Sequence, residues 1–254
     1  MKIINRSIPI VCSLAILLLS ELVLSRADLL WPLFSLAPLC LIAAIWQLTG
    51  RNLKSKKFWR LLITPLLFLV SQLGFLSFLE GAILRQLLVI FSSLVIWIFL
   101  QVIFLRFHSR LKYQLHSLES IATHIDLLTI FFGCATLFSL MLFLGVKLTL
   151  CLLIFAFITF LLSYQMIWVG EKSLADAWLY VMVITLISLE VFYAVSFLPT
   201  SVLVNSLIVT LAYYLMGGLT RNWLLDIREV NVAKRYLIIS GILLLVVFLT
   251  AKWF

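Results

Sequence analysis

Residues 83–106 read ILRQLLVIFSSLVIWIFLQVIFLR, and no charge falls between Arg85 and Arg106. At 1.5 Å per residue, a helical run of this length crosses a hydrocarbon core of about 30 Å. It is predominantly apolar, so its surroundings are lipid or protein rather than water. Reading this stretch as a transmembrane helix decides the fold class, because the rest of the chain repeats it.

Moving outward, comparable runs fall at 8–24, 31–49, 59–79, 126–144, 148–169, 178–198, 202–218 and 236–253, which with 83–106 makes nine spans. Gly145-Val146-Lys147 and Pro199-Thr200-Ser201 separate the closest pairs. Glycine and proline break helices, so each of these connections can turn the chain back into the membrane. Of the 254 residues, 65% are hydrophobic and 11% charged, against roughly 25% charged in ordinary soluble domains. So few charges cannot solvate the surface of a soluble domain, and nine spans leave no room for a separate one. The expectation is an all-α, polytopic integral membrane protein forming a single transmembrane helical domain over 1–254.

Lysine and arginine set the orientation. With the N-terminus inside, the inner segments carry Lys2, Arg6, Arg51, Lys54, Lys56, Lys57, Arg60, Arg106, Arg110, Lys112, Lys172, Arg221, Arg228, Lys234 and Arg235. The outer segments carry only Arg26, Arg85, Lys147 and Lys252. This imbalance obeys the positive-inside rule and places the C-terminus outside. Trp31, Trp46, Trp59, Trp168, Trp178 and Trp253 fall near span ends, at headgroup level, while Trp97 lies deep in the fourth span. The net charge of +9 therefore reads as topology and attraction to anionic headgroups at the cytoplasmic face, with no nucleic-acid partner needed. The expected location is a bacterial inner membrane. The first apolar run is longer than a signal peptide's, so it is expected to stay as a span.

Two inner connectors carry an amphipathic pattern. In 107–125, Leu111, Leu115, Leu118, Ala122 and Ile125 recur at helical spacing, with Arg110, Lys112, His116 and Glu119 mostly elsewhere. This predicts a helix on the inner membrane surface or helical extensions of the flanking spans. In 219–235, Trp223, Leu224 and Ile227 face lipid while Arg228, Lys234 and Arg235 meet headgroups; Gly217-Gly218 before them reads as a helix C-cap.

Inside the spans, Glu190 reads as the one ionisable group far from a boundary. It lies 12 residues beyond Trp178, roughly 18 Å along the helix. Charged side chains at such depth cost about 2.5–3.5 kcal/mol on translocon scales, so Glu190 should face protein or meet a hydrogen-bond donor. Tyr193 lies on its face one turn on. If spans seven and eight form an antiparallel hairpin, Glu190 is level with Thr210 and near Tyr213. Ser206, Thr210, Tyr213 and Gly217 form one stripe of polar and small residues on span eight, with Asn205 near its outer end. Gln86, Ser93, Trp97 and Gln101 form a second stripe on span four, and Gln72 and Gln165 add amides. The binding candidates are Glu190, Tyr193, Asn205, Thr210, Tyr213 and Gln101; more commonly, such groups only hydrogen-bond across helices.

No Walker loop, HExxH or GxSxG motif occurs, and no catalytic set is assigned. Cys12, Cys40, Cys134 and Cys151 show no metal-ligand spacing, and His108, His116 and His124 do not share a helix face. Neither metal nor cofactor is implied.

Residues 190–224, EVFYAVSFLPTSVLVNSLIVTLAYYLMGGLTRNWL, resemble an uncharacterised family of polytopic membrane proteins from candidate-phylum bacteria. The likeness lies in Phe197-Leu198-Pro199-Thr200-Ser201, then Val204-Asn205, then a span closing on Gly217-Gly218-Leu219. It implies a bacterial inner membrane, with this hairpin as the functional region; no function carries over from that family. The expected function is a non-enzymatic membrane component or a carrier of small solutes or lipids. The alternative is an intramembrane enzyme acting on a lipid-linked substrate, with Glu190 as acid or base.

Overall fold

A computed structural model describes residues 2–25, 30–50, 56–108, 117–169, 174–224 and 230–250. Among these residues there are nine helices and no strand: α1 (Lys2–Ser25), α2 (Leu30–Leu48), α3 (Lys56–Phe78), α4 (Ala82–His108), α5 (Ser117–Leu144), α6 (Leu148–Val169), α7 (Leu174–Val195), α8 (Val202–Leu224) and α9 (Val230–Thr250). Six of them, α3 to α8, contain stretches long and apolar enough to cross a membrane. The protein is therefore an all-helical, multi-pass membrane protein by length and composition.

The chain divides into two compact units, residues 1–125 and 126–254. In the first, α1 packs on α2 and α4, and α3 on α2 and α4. Its core includes the fully buried Ile16, Leu41, Ile45, Phe58, Phe68 and Phe99. Pro9, Pro38 and Pro65 lie inside α1, α2 and α3. Membrane helices accept such prolines because packed neighbours and hydroxyl groups compensate for the freed carbonyls.

In the second unit, α6 packs on α7 and α8, α8 on α7 and α9. Three rings tie α5, α6 and α7 together. Phe192 of α7 stacks on Phe138 of α5 at 4.5 Å and on Phe155 of α6 at 4.7 Å. All three are buried. Lipid tails are as apolar as these side chains, so the gain is dispersion and ring geometry rather than escape from water.

Both tight turns fall where the sequence places them. Gly145 adopts φ +63°, open to glycine at no steric cost, and the Val146 amide returns to the Leu140 carbonyl at 3.3 Å. After α7, the Thr200 amide donates to the Leu198 carbonyl at 2.8 Å, and the Ser201 hydroxyl oxygen accepts from the Val204 amide at 3.4 Å as the N-cap of α8.

One expectation changes and two are refined. Gly217 and Gly218 are not a C-cap; α8 runs through them to Leu224. The reason is packing: a Cβ on Gly218 would lie 2.2 Å from the Tyr236 ring of α9, so glycine admits that ring. The inner connector 107–125 is helical at both described ends, as α4 reaches His108 and α5 starts at Ser117. Leu118, Ala122 and Ile125 are buried, and His124 is exposed, so this amphipathic pattern belongs to an extension of α5. Arg110, Leu111, Lys112, Leu115 and His116, like Ile227 and Arg228 of the second connector and the end of span nine, lie outside the described residues. Finally, the lengthened α5 buries a second acid, Asp126, 3% exposed, close to the inner end of its span.

Candidate functional site

The site grows from the stripe on α8. Ser206 is fully buried, Thr210 and Tyr213 nearly so, and Gly217 is buried as well. The two small hydroxyls are satisfied within their own helix. Ser206 donates to the Val202 carbonyl and Thr210 to the Ser206 carbonyl, each at 2.7 Å. This is how serine and threonine ordinarily settle in apolar helices. Tyr213 cannot do the same, because its hydroxyl stands at the far end of a rigid ring. That oxygen is buried without a hydrogen-bond partner.

Two elements converge on the phenol. From α6 comes Ser163, fully buried and also without a partner for its hydroxyl. The two oxygens lie near enough to influence each other but outside hydrogen-bond geometry. One turn on, the Met166 sulfur lies 3.4 Å from where a Gly217 Cβ would be. The pairs 163/213 and 166/217 advance together, so α6 and α8 run parallel along this face. From α5 comes Asp126, 3% exposed, which the helix register brings to the depth of Ser163. The Cys151 thiol donates to the Leu137 carbonyl at 3.9 Å across the α5–α6 hairpin, and that pairing sets Asp126 level with Leu162 and Ser163. Thr129, fully buried one turn along α5, shares the Asp126 face.

Asp126 lies 18 residues from Leu144, about 27 Å from the Gly145 turn. The group thus sits at the opposite end of the α5–α6 hairpin from that turn. A carboxyl group and two hydroxyls that both donate and accept can hold a small solute carrying an N–H or O–H group, or ordered water. Buried polar groups are expensive when unpaired, so leaving two hydroxyls open at the depth of a carboxyl group calls for a reason. Among the described residues, no three His, Cys, Asp or Glu side chains gather closely enough to hold a metal ion.

The candidates named from sequence separate. Tyr213 and Thr210 lie on the buried face just described. Asn205 is buried in the first turn of α8, where its side-chain oxygen accepts from the Thr200 hydroxyl of the preceding turn. Gln101 is half-buried on α4, in the first unit. Glu190 is exposed and makes no hydrogen bond or ion pair among the described residues; Tyr193, 50% exposed, meets the Phe197 ring edge-on at 5.0 Å. Glu190 therefore does not join Thr210 and Tyr213. The residues missed were Asp126 and Ser163. Asp126 had been placed at a span boundary, where a charge is cheap. The signal that would have found it is the unbroken spacing Leu118, Ala122, Ile125, Thr129, which carries one buried face through the boundary.

The first unit holds a different feature. Ile10, Ser13, Leu14, Leu17, Ile90, Ser93, Leu94 and Trp97 line a groove of about 390 Å³ between α1 and α4. Ser13 and Ser93 donate to carbonyls of their own helices, at 3.0 and 2.8 Å, so the groove surface is nearly all hydrocarbon. In α3, Gln72 is fully buried with both amide atoms unpaired. No family model, curated protein or solved structure matches the chain.

Proposed function

We propose that this protein is a nine-span, non-enzymatic carrier of the bacterial inner membrane, N-terminus inside and C-terminus outside, that passes a small polar solute. The charge distribution along the sequence supports the orientation, and the likeness of residues 190–224 to bacterial polytopic membrane proteins supports the compartment. The observation that carries the reading is the pair of buried, unpaired hydroxyls of Tyr213 and Ser163 at the depth of the buried Asp126. In lipid there is no water to satisfy such groups, so polar residues held unpaired inside a membrane bundle are candidates for a functional site. With positive-inside orientation, Asp126 and the Ser163–Tyr213 pair stand together towards the cytoplasmic side of the hairpin, within reach from that side.

The solute class follows from the donors and acceptors: a small amine or polyol whose N–H or O–H groups meet the carboxylate and whose size fits between three helices. The test is uptake of labelled methylammonium and of labelled glycerol into vesicles holding the purified full-length protein. Uptake of one of them well above empty vesicles, reduced at least tenfold by Asp126→Asn and by Tyr213→Phe, supports the assignment. Uptake that neither substitution changes, or none of either solute, overturns it.

A further inference from the structure

Helix α7 has two faces. Val181, Ile184, Thr185, Ser188, Phe192 and Val195 are buried. The opposite stripe, in steps of three and four, is Leu179, Met182, Leu186, Glu190 and Tyr193, all exposed. A carboxyl sits towards the outer end of that stripe, roughly 18 Å along the helix from Trp178, with no polar contact from this chain among the described residues. A monomer would present it to lipid tails, which offer it nothing.

We propose that the outer stripe of α7 is the interface between two copies of this chain, with the Tyr193 hydroxyl of each copy donating to the Glu190 carboxyl of the other. The argument is one of depth and complementarity. Two copies inserted with the same orientation can form a closed pair only about a twofold axis along the membrane normal. Such an axis sets every residue opposite its own equivalent at equal depth. A chain carrying an acceptor at position 190 and a donor at 193 on one stripe is then complementary to itself. The axial offset of three residues, about 4.5 Å, is well within the reach of a tyrosine ring. Ala194, exposed beside Tyr193, lets the two backbones approach closely, as small residues do at membrane helix crossings. An unrelated partner would need its own donor at this depth, whereas a second copy supplies one by symmetry. This interface is separate from the Asp126–Tyr213 group and stands whether or not that group carries a solute.

The test uses the full chain in phosphatidylcholine–phosphatidylglycerol vesicles, with energy transfer between donor- and acceptor-labelled copies followed as lipid is added. The dimer fraction should persist on dilution. Glu190→Leu should lower it at least tenfold, Glu190→Gln should retain it because the amide oxygen still accepts, and Tyr193→Phe should weaken it while preserving the ring contact with Phe197. Oxidative cross-linking gives the geometry: Ala194→Cys should form a covalent dimer far above the unsubstituted chain and above Leu153→Cys on the exposed face of α6. A wild-type chain that is monomeric at every dilution overturns the proposal, as does a dimer indifferent to Glu190→Leu or one cross-linked equally well at Leu153→Cys. Circular dichroism of Glu190→Leu, a change at an exposed position, separates loss of pairing from loss of fold.

Discussion

Helices α7 and α8 are antiparallel neighbours of nearly equal length, joined by one short turn, and they handle polarity in opposite ways. α8 turns its polar stripe inward, closing two hydroxyls on its own carbonyls and leaving the Tyr213 hydroxyl beside Ser163, at the depth of Asp126. α7 turns an aromatic ring inward and its carboxyl outward. The difference shows that a polar residue in a membrane helix is not by itself evidence of a polar interior. Its neighbours at i±3 and i±4 decide which way the helix faces, and on α7 the large apolar residues Val181, Ile184 and Phe192 claim the inside.

That contrast can be broken most severely at Phe192. Phe192→Ala removes the middle ring of the stack with Phe138 and Phe155, and α7 loses its reason to face inward. The expected destabilisation is about 3 kcal/mol, read as a lowered thermal midpoint in detergent, with new exposure of neighbouring positions to lipid-soluble quenchers. A midpoint within a degree of the parent would show that the stack does not orient α7.

A smaller effect is expected where α8 meets α9. Gly218→Ala places a methyl group where the Tyr236 ring stands, and the ring must swing aside, at about 1–2 kcal/mol. Pairing it with Tyr236→Ala should recover part of the loss, because the clash is between those two groups. Failure of the second change to help would mean that the glycine serves something other than this contact.

Tyr213→Phe sharpens the comparison by dissociating stability from function. The hydroxyl has no partner to lose, so the thermal midpoint should stay unchanged or rise slightly, while uptake falls. A clear drop in midpoint would show instead that the phenol is a structural hydrogen-bonding group. The smallest change is expected at Thr210→Val, which removes one bond to a carbonyl of the same helix. Its cost should not exceed about 1 kcal/mol, with uptake nearly intact. Uptake lost on this change would extend the functional surface along the whole α8 stripe.

Much of this architecture was legible in the chain. Apolar runs about one bilayer long, separated by charges or by Gly145 and Pro199, mark helices because a backbone in lipid must satisfy its own hydrogen bonds. The periodicity of Ser206, Thr210, Tyr213 and Gly217 also marked them as one face, and all four are buried together. What periodicity lacks is a partner. A stripe on α8 is equally compatible with facing α7, α6 or α5, because each can be brought to the same depth. Depth alone set Glu190 level with Thr210, yet rotation of α7 about its axis turned that carboxyl away.

Asp126 shows the converse. Its charge suggested a boundary, since a lone acid is cheapest where water is near. The structure buries it because α5 starts nine residues earlier than the apolar run, carrying Leu118, Ala122 and Ile125 against the protein. Composition and charge determined that the chain is helical and crosses a membrane, since those follow from the solvent each segment can tolerate. Only the tertiary structure decided which acid is buried and which is exposed, because that depends on helix rotation and on packing between segments far apart in sequence, which no local pattern encodes.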